Sequence, residues 1–192
     1  SWGRCKTFEN KGSPRDLVSE VDRHAEQVIL EQLEKRFPGE NLWGEESGAA
    51  EGVDPEHGFC WLVDPLDGTV NFAFEHPFVG VSIARIEEGR PRMGVVHAPM
   101  LGETFWAERG GGAFSNGVKI AVSVRNSISE SLLATGFACL RENEGGDNLE
   151  NFTRLARRAL GVRRCGAAAI DLAYVACGRY DGFWEPALAP YD

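Results

Sequence analysis

Residues 61–72 read WLVDPLDGTVNF, so Asp64 and Asp67 lie three residues apart and are followed at once by Gly68 and Thr69. The apolar run Trp61-Leu62-Val63 predicts a short buried strand over 59–63 that delivers Asp64 to its end. Pro65 has no N–H and a fixed φ, so the ladder is expected to stop there and the chain to turn. Gly68 supplies the backbone freedom for the reversal. Two carboxylates this close repel each other, and either one takes up a proton or a cation sits between them. The plain alternative is an Asp-Gly turn whose acids cap a following helix. Further acids weigh against it: Glu45 and Glu46 in WGEES, Asp16, Glu20 and Asp22 in KGSPRDLVSEVD, and Glu185 and Asp192 among the aromatics at the end. Hard cations such as Mg²⁺ take oxygen ligands, and acids without clustered His or Cys fit Mg²⁺ better than Zn²⁺. The four histidines, His24, His57, His76 and His97, show no metal spacing.

These acids need elements to carry them. A helix is expected over 22–36: Ala25, Ile29, Leu33 and Phe37 recur every four residues, Val28 and Leu30 widen the stripe, and Ser19 with Asp22 makes a capping box. Phe37-Pro38-Gly39 stops it. Strands are expected over 41–44, 59–63, 78–86, 93–98, 103–108, 131–135 and 180–185, with a hairpin turn at Ser115-Asn116-Gly117-Val118. Helices are expected over 148–160 and over 166–177, the latter Ala-rich and closed by Gly178. Residues 141–148 read as a flexible loop. Helices set between runs of strands predict an α+β fold with a largely antiparallel or mixed sheet, in one domain spanning 1–192. Trp43, Trp61 and Trp184 are expected in the core.

The chain has 192 residues, 43% hydrophobic and 26% charged, which allows a sizeable core. Its net charge of −9 argues against a general nucleic-acid binder. Five cysteines (Cys5, Cys60, Cys139, Cys165 and Cys177) without a C-x-x-C pair predict reduced, buried thiols in a cytoplasmic protein. No signal peptide opens the chain. No apolar run approaches the roughly 18 residues of a membrane span.

The stretches KGSPRDLVSEVD at 11–22, GEES at 44–47, DPLDGTVNF at 64–72, RRCGAAAIDLAYVACGRYDGFWE at 163–185 and PYD at 190–192 occur in this order. Together they resemble the inositol monophosphatase family of Mg²⁺-dependent, Li⁺-sensitive phosphatases. The resemblance implies a layered αβαβα sandwich, a homodimer, a small phosphorylated substrate and two to three Mg²⁺ ions. It implies a first ion on Glu45, Asp64 and the carbonyl of Leu66, a second on Asp64, Asp67 and Asp192, and a third on Glu45 with Glu46 in support. Asp22 and Thr69 would orient and deprotonate the attacking water. The amides of Gly68 and Thr69 would accept the phosphate, with Asp67 and Asp192 also facing the substrate. Gly166, Ala168 and Glu185 would face the sugar or cyclitol ring, and Lys11 would lie near the metal-site loop. Asn71-Phe72 and GAAAIDLAYVACG resemble the inositol-phosphate and sugar-phosphate branches most. Ala167 stands where Ser or Thr is frequent. Family members carry a helix before the Lys11 region and further elements after Asp192, so the chain reads as a core trimmed at both ends.

Two other readings compete. A haloacid-dehalogenase-type aspartyl-phosphate phosphatase also uses Asp-Gly-Thr, but with its two acids two residues apart rather than three. A catalytically impaired binding or regulatory module would keep the acidic pocket without turnover.

Overall fold

Strands β1 (Phe8–Asn10) and β2 (Leu17–Ser19) pair antiparallel and lead straight into helix α1 (Glu20–Arg36). These come from a computed structural model that describes residues 8–10, 17–49, 53, 57–138 and 148–192. Ser19 is the N-cap and accepts from Val21 N (3.1 Å) and Asp22 N (3.4 Å), while Asp22 accepts from Ser19 N (3.0 Å). The expected capping box is therefore present. It places the helix start two residues ahead of Asp22, because the capping pair sits at the N-cap and the third helical position. Gly39, at φ 81°, takes the chain out after the C-cap Phe37.

The buried positions of α1 are Asp22, Glu26 and Leu33. Ile29, Leu30 and Leu33 pack on Trp61 and Val63, but Val28 is 46% exposed and does not join the stripe. The inward face of the helix is thus acidic in its first half and apolar only in its second.

The main sheet holds β3 (Asn41–Gly44), β4 (Gly48–Ala49), β5 (Phe59–Asp67), β6 (Gly80–Glu87), β7 (Arg90–Ala98), β8 (Glu103–Glu108), β9 (Gly112–Ser115) and β10 (Val118–Lys119). Their spatial order is β10-β9-β8-β7-β6-β5-β3-β4. Only the β3–β5 pair is parallel among these described strands, so the sheet is mixed. Asn116 and Gly117 both take positive φ (46° and 81°), which is the hairpin turn expected there. A second, parallel sheet of β11 (Leu132–Thr135), β12 (Gly161–Arg163) and β13 (Gly182–Trp184) runs in the order β12-β11-β13.

Helix α2 (Thr69–Ala73) follows β5, α3 (Leu149–Ala156) lies against β12, and α4 (Ala168–Ala176) fills the space between the two sheets, touching β6 and β7 on one side and β11 and β13 on the other. Trp61 and Val63 face α1, while Cys60 and Leu62 pack with Ile86 on the opposite face of β5. The α4 face of the large sheet carries Phe78, Ala98 and Val96 against Ala167 and Ile170. This α+β layering of helix, sheet, helix, sheet is the expected one. Trp43 and Trp61 pack into core clusters, and Trp184 donates its indole N–H to Asn148 Oδ1 at 2.8 Å.

Several boundaries differ from the sequence expectation. The strand predicted for 59–63 does not end at Pro65 but runs to Asp67, with one extra residue between Asp64 and Asp67 relative to β6. A bulge absorbs the missing N–H of the proline without breaking the strand. The helix expected over 148–160 stops at Ala156, because 161–163 is claimed by the parallel sheet. Strands β1, β2, β4 and β12 were not anticipated; at two or three residues they show no readable alternation. Of the loop expected at 141–148, residues 141–147 lie outside the described residues, while Asn148 is buried just ahead of α3. Cys60, Cys165 and Cys177 are free thiols, and Cys5 and Cys139 lie outside the described residues. Among the described residues no helix is long and apolar enough to cross a membrane.

Candidate active site

The bulge in β5 is what aims the two aspartates. Asp64 is 1% exposed and its Oδ1 accepts from Leu66 N at 2.9 Å. Asp67 accepts from Ala168 N (3.0 Å) and Ala169 N (2.8 Å), the first amides of α4. Helix α4 has Ala167 at its N-cap and no side-chain cap of its own. Asp67, a hundred residues earlier in the chain, supplies the acceptors that a Ser or Thr at 167 would offer locally.

Thr69 opens α2 and donates its hydroxyl to Asp22 Oδ1 at 2.9 Å, with Leu66 O at 3.2 Å. Asp22 is 1% exposed and uses its other oxygen on Ser19 N and the Ser19 hydroxyl. One carboxylate therefore both caps α1 and holds Thr69.

Gly68 is the N-cap of α2 at φ 91°, and a Cβ there would meet Phe78 O at 3.0 Å and Gly166 O at 3.3 Å. Backbone angle and close approach both demand glycine. Asn71, one turn on, donates its amide to Phe78 O (2.7 Å), Cys165 O (2.8 Å) and Gly166 O (3.3 Å). It staples the Thr69 turn to the loop that carries Gly166.

The Glu45 turn is fixed from two sides. Glu45 N donates to Val63 O at 2.9 Å, which sets it beside Asp64. The next two amides, Glu46 N and Ser47 N, donate to Glu26 of α1 at 2.8 and 2.9 Å. Asp192 accepts from Ala189 N at 2.6 Å, and Glu185 accepts from Ala138 N at 2.8 Å.

Charge gathers here. Burial, then Asp67, Glu45 and Asp192, push the Asp64 carboxyl well above the ordinary range. Burial and the neighbouring Asp192 raise Asp67 to about 7, against the opposing effect of the α4 amides. Asp171, in the first turn of α4, is raised to about 7 by burial, Asp67 and Glu185, and its Oδ1 has no hydrogen-bond partner among the described residues.

Glu45, Asp67 and Asp192 thus each come within electrostatic reach of Asp64, and Asp192 also of Asp67, with Asp22 and Thr69 paired next to Leu66 and with Gly68 and Gly166 adjacent. Ala168 reaches the group through Asp67, and Glu185 lies within electrostatic reach of Asp171. Among the described residues no three or more His, Cys, Asp or Glu side chains stand together as a ready-made metal site. An all-oxygen set of buried, mutually repelling acids nevertheless fits a hard divalent ion by its chemistry. Lys11 lies outside the described residues. The sequence reading missed Glu26, Asn71 and Asp171. A Glu at a helical i, i+4 spacing from Asp22 was the only available signal for Glu26, and it is shared by many solvated helix faces.

A separate apolar groove of about 700 Å³ runs along β6–β8 and α4, lined by Val96, Phe105, Trp106, Leu172 and Ala173, and reaches the acids only through Asp192. Glu45, Asp64 and Asp67 do not line it.

Known proteins resemble this chain over nearly all of its length. The profile of the inositol monophosphatase family matches residues 2–192. The inositol-1-monophosphatase of Synechocystis sp. is 45% identical over 191 residues, covering 100% of this chain and 66% of that protein. The Nus factor SuhB of Pseudomonas aeruginosa is 46% identical, covering 95% of this chain and 68% of that protein. The chain therefore spans about two thirds of the length of these relatives. Among solved structures, the extragenic suppressor protein suhB of Bartonella henselae superposes with a TM-score of 0.87 at 41% identity, covering 97% of this chain and 70% of that one. An IMPase/NADP phosphatase complexed with Mg²⁺ and phosphate superposes with a TM-score of 0.82 at 26% identity, covering 96% of this chain and 67% of that one.

Proposed function

This chain belongs to the inositol monophosphatase family, and on that premise we propose that it hydrolyses a phosphate monoester of a small polyol or sugar, using Mg²⁺ and a water nucleophile. The observation that carries the reading is the meeting of Glu45, Asp64, Asp67 and Asp192 beside the Thr69–Asp22 hydrogen bond. Glu45, Asp64, Asp67, Asp192 and the Leu66 carbonyl would hold two to three ions. When bound, Mg²⁺ neutralises phosphate charge, acidifies water and stabilises the leaving oxygen.

The chain's own groups do the rest. The Thr69 hydroxyl takes the proton of the attacking water as it passes its own to Asp22, whose buried carboxylate is already oriented by Ser19. The amides of Gly68 and Thr69 face the phosphate. Gly166 and Ala168 would face the ring, and Glu185 its hydroxyls. Family membership sets aside the haloacid-dehalogenase alternative, and water attack needs no aspartyl-phosphate.

A panel of phosphate esters assayed with Mg²⁺, with and without Li⁺, tests the reading. Turnover that requires Mg²⁺, is inhibited by Li⁺ and is lost in Asp67→Asn is expected, with inversion at a chiral phosphorus. A folded chain that binds Mg²⁺ yet releases no phosphate from any ester would favour the second reading, a regulatory module of the same fold. The 46% identity to a relative named as a Nus factor is what keeps that reading in play. Its assembly as a homodimer and its place in the cytoplasm belong to the same proposal.

A further inference from the structure

Glu26 is 3% exposed and sits in the middle of α1, and the proposed chemistry gives it no part in holding ion or substrate. A buried carboxylate without partners is costly, so its contacts reveal what holds it there. Its two oxygens accept from consecutive amides, Oε2 from Glu46 N at 2.8 Å and Oε1 from Ser47 N at 2.9 Å. The carboxylate lies flat against Gly44: a Cβ on that glycine would stand 2.2 Å from Oε2 and 2.3 Å from Cδ. Gly44 has no positive φ, so its backbone does not call for glycine; the carboxylate does.

The turn 44–47 is therefore gripped at three successive amides. Glu45 N is held by Val63 O, one residue before Asp64, and the next two are held by Glu26. The residue between these anchors is Glu45, whose own amide is tied to Val63 O, next to Asp64. Metal sites depend on such outer groups, and their loss typically weakens metal affinity about 10–100-fold.

We propose that Glu26 is a positioning residue: its carboxylate clamps the Glu46 and Ser47 amides and so fixes Glu45 for the metal ion. Gly44 is the other half of the device, since only a residue without a side chain lets the clamp close. The inference rests on the metal-dependent reading above and adds to it a residue that touches neither ion nor substrate.

Two readouts test it, neither of them turnover. Amide hydrogen exchange on the metal-free chain should show Glu46 and Ser47 protected, and Glu26→Gln should lose that protection, because one carboxylate oxygen becomes an amide facing an N–H. Calorimetric titration with MgCl₂ should show affinity lower by about 10–100-fold in Glu26→Gln, with helix content unchanged. Gly44→Ala keeps the carboxylate but pushes it aside, and should weaken Mg²⁺ binding similarly. In a Glu26→Ala background the same Gly44→Ala change should cost little further. If Glu26→Gln fails to fold, the Gly44→Ala pair carries the test. Wild-type binding of Mg²⁺ with unchanged affinity in the variants overturns the inference alone. A wild-type chain that binds no Mg²⁺ overturns the metal reading and this inference with it.

Discussion

Thr69 has one hydroxyl proton and two oxygens within reach, Asp22 Oδ1 at 2.9 Å and Leu66 O at 3.2 Å. The charged acceptor is the stronger, so the proton resides toward Asp22 and the lone pairs of the hydroxyl stay open to a water. Thr69→Val keeps shape and removes only this group. It should lower kcat about 10²–10⁴-fold while leaving KM and Mg²⁺ affinity near wild type. Asp22→Asn should cost a similar factor, and the double variant little more than either, since the two act as a unit. Independent, multiplying losses would contradict the pairing. Asp171 makes a different point. Its carboxyl titrates near 7 in the fold but near 3.9 in an unfolded chain. Its folded value is raised, so the fold is not penalised below about pH 4 and loses stability as pH climbs through 7. Asp171→Asn mimics the protonated acid at every pH. The variant should match wild type near pH 4 and exceed it by about 4 kcal/mol at pH 8 in urea unfolding of the metal-free chain. A constant difference between the two across that range would remove the titration of Asp171 as its cause.

At the scale of elements, α2 and the 165–166 loop are joined by one side chain. The Asn71 amide serves the carbonyls of Phe78, Cys165 and Gly166. Asn71→Asp cannot donate and sets an anion against three carbonyls. Such a change should destabilise by about 1–3 kcal/mol and raise KM through a loosened ring wall, read by thermal melts and by substrate saturation. A raised KM without any drop in stability would place Asn71 on the substrate rather than in the staple. Asn71 also marks the limit of what the sequence discloses. The local parts were legible: the capping box at Ser19 and Asp22, the β5 acids, the Asn116-Gly117 turn and the Ala-rich α4 all follow from short-range chemistry. The contacts that complete the site run between distant segments. Asp67 capping α4, Asn71 holding 165–166 and Glu26 clamping 46–47 span 20 to about a hundred residues. A glutamate at a helical spacing carries no mark that distinguishes a clamp from a solvated side chain. Pro65 misled for a related reason. Its missing N–H predicts a break, but β6 pairs Gly80 with Asp67 and Ser82 with Asp64, and the extra residue is pushed into a bulge.

On the scale of the whole molecule, a chain of net charge −9 concentrates several of its acids at one buried point. Asp64 and Asp67 are both held above their ordinary range, so ionising them costs stability, and a bound cation returns it. Metal binding must then release protons near neutrality, because Asp67 titrates at about 7 and a ligand carboxylate must be ionised. Mg²⁺ should therefore raise the melting temperature more at pH 8 than at pH 6. At a hundredfold excess over Kd the stabilisation is about 2.7 kcal/mol, roughly 5–10 °C for a chain of this length. The general screening of a −9 surface also raises stability, but any salt at equal ionic strength supplies it. Melts with MgCl₂ and with KCl at matched ionic strength separate the two. The specific part should appear with MgCl₂ only, grow with pH and disappear in Asp67→Asn, and calorimetry in buffers of different ionisation enthalpy should count the released protons. An Mg²⁺ shift that is equal at both pH values, or matched by KCl, would mean that the acids repel one another for some purpose other than gathering around an ion.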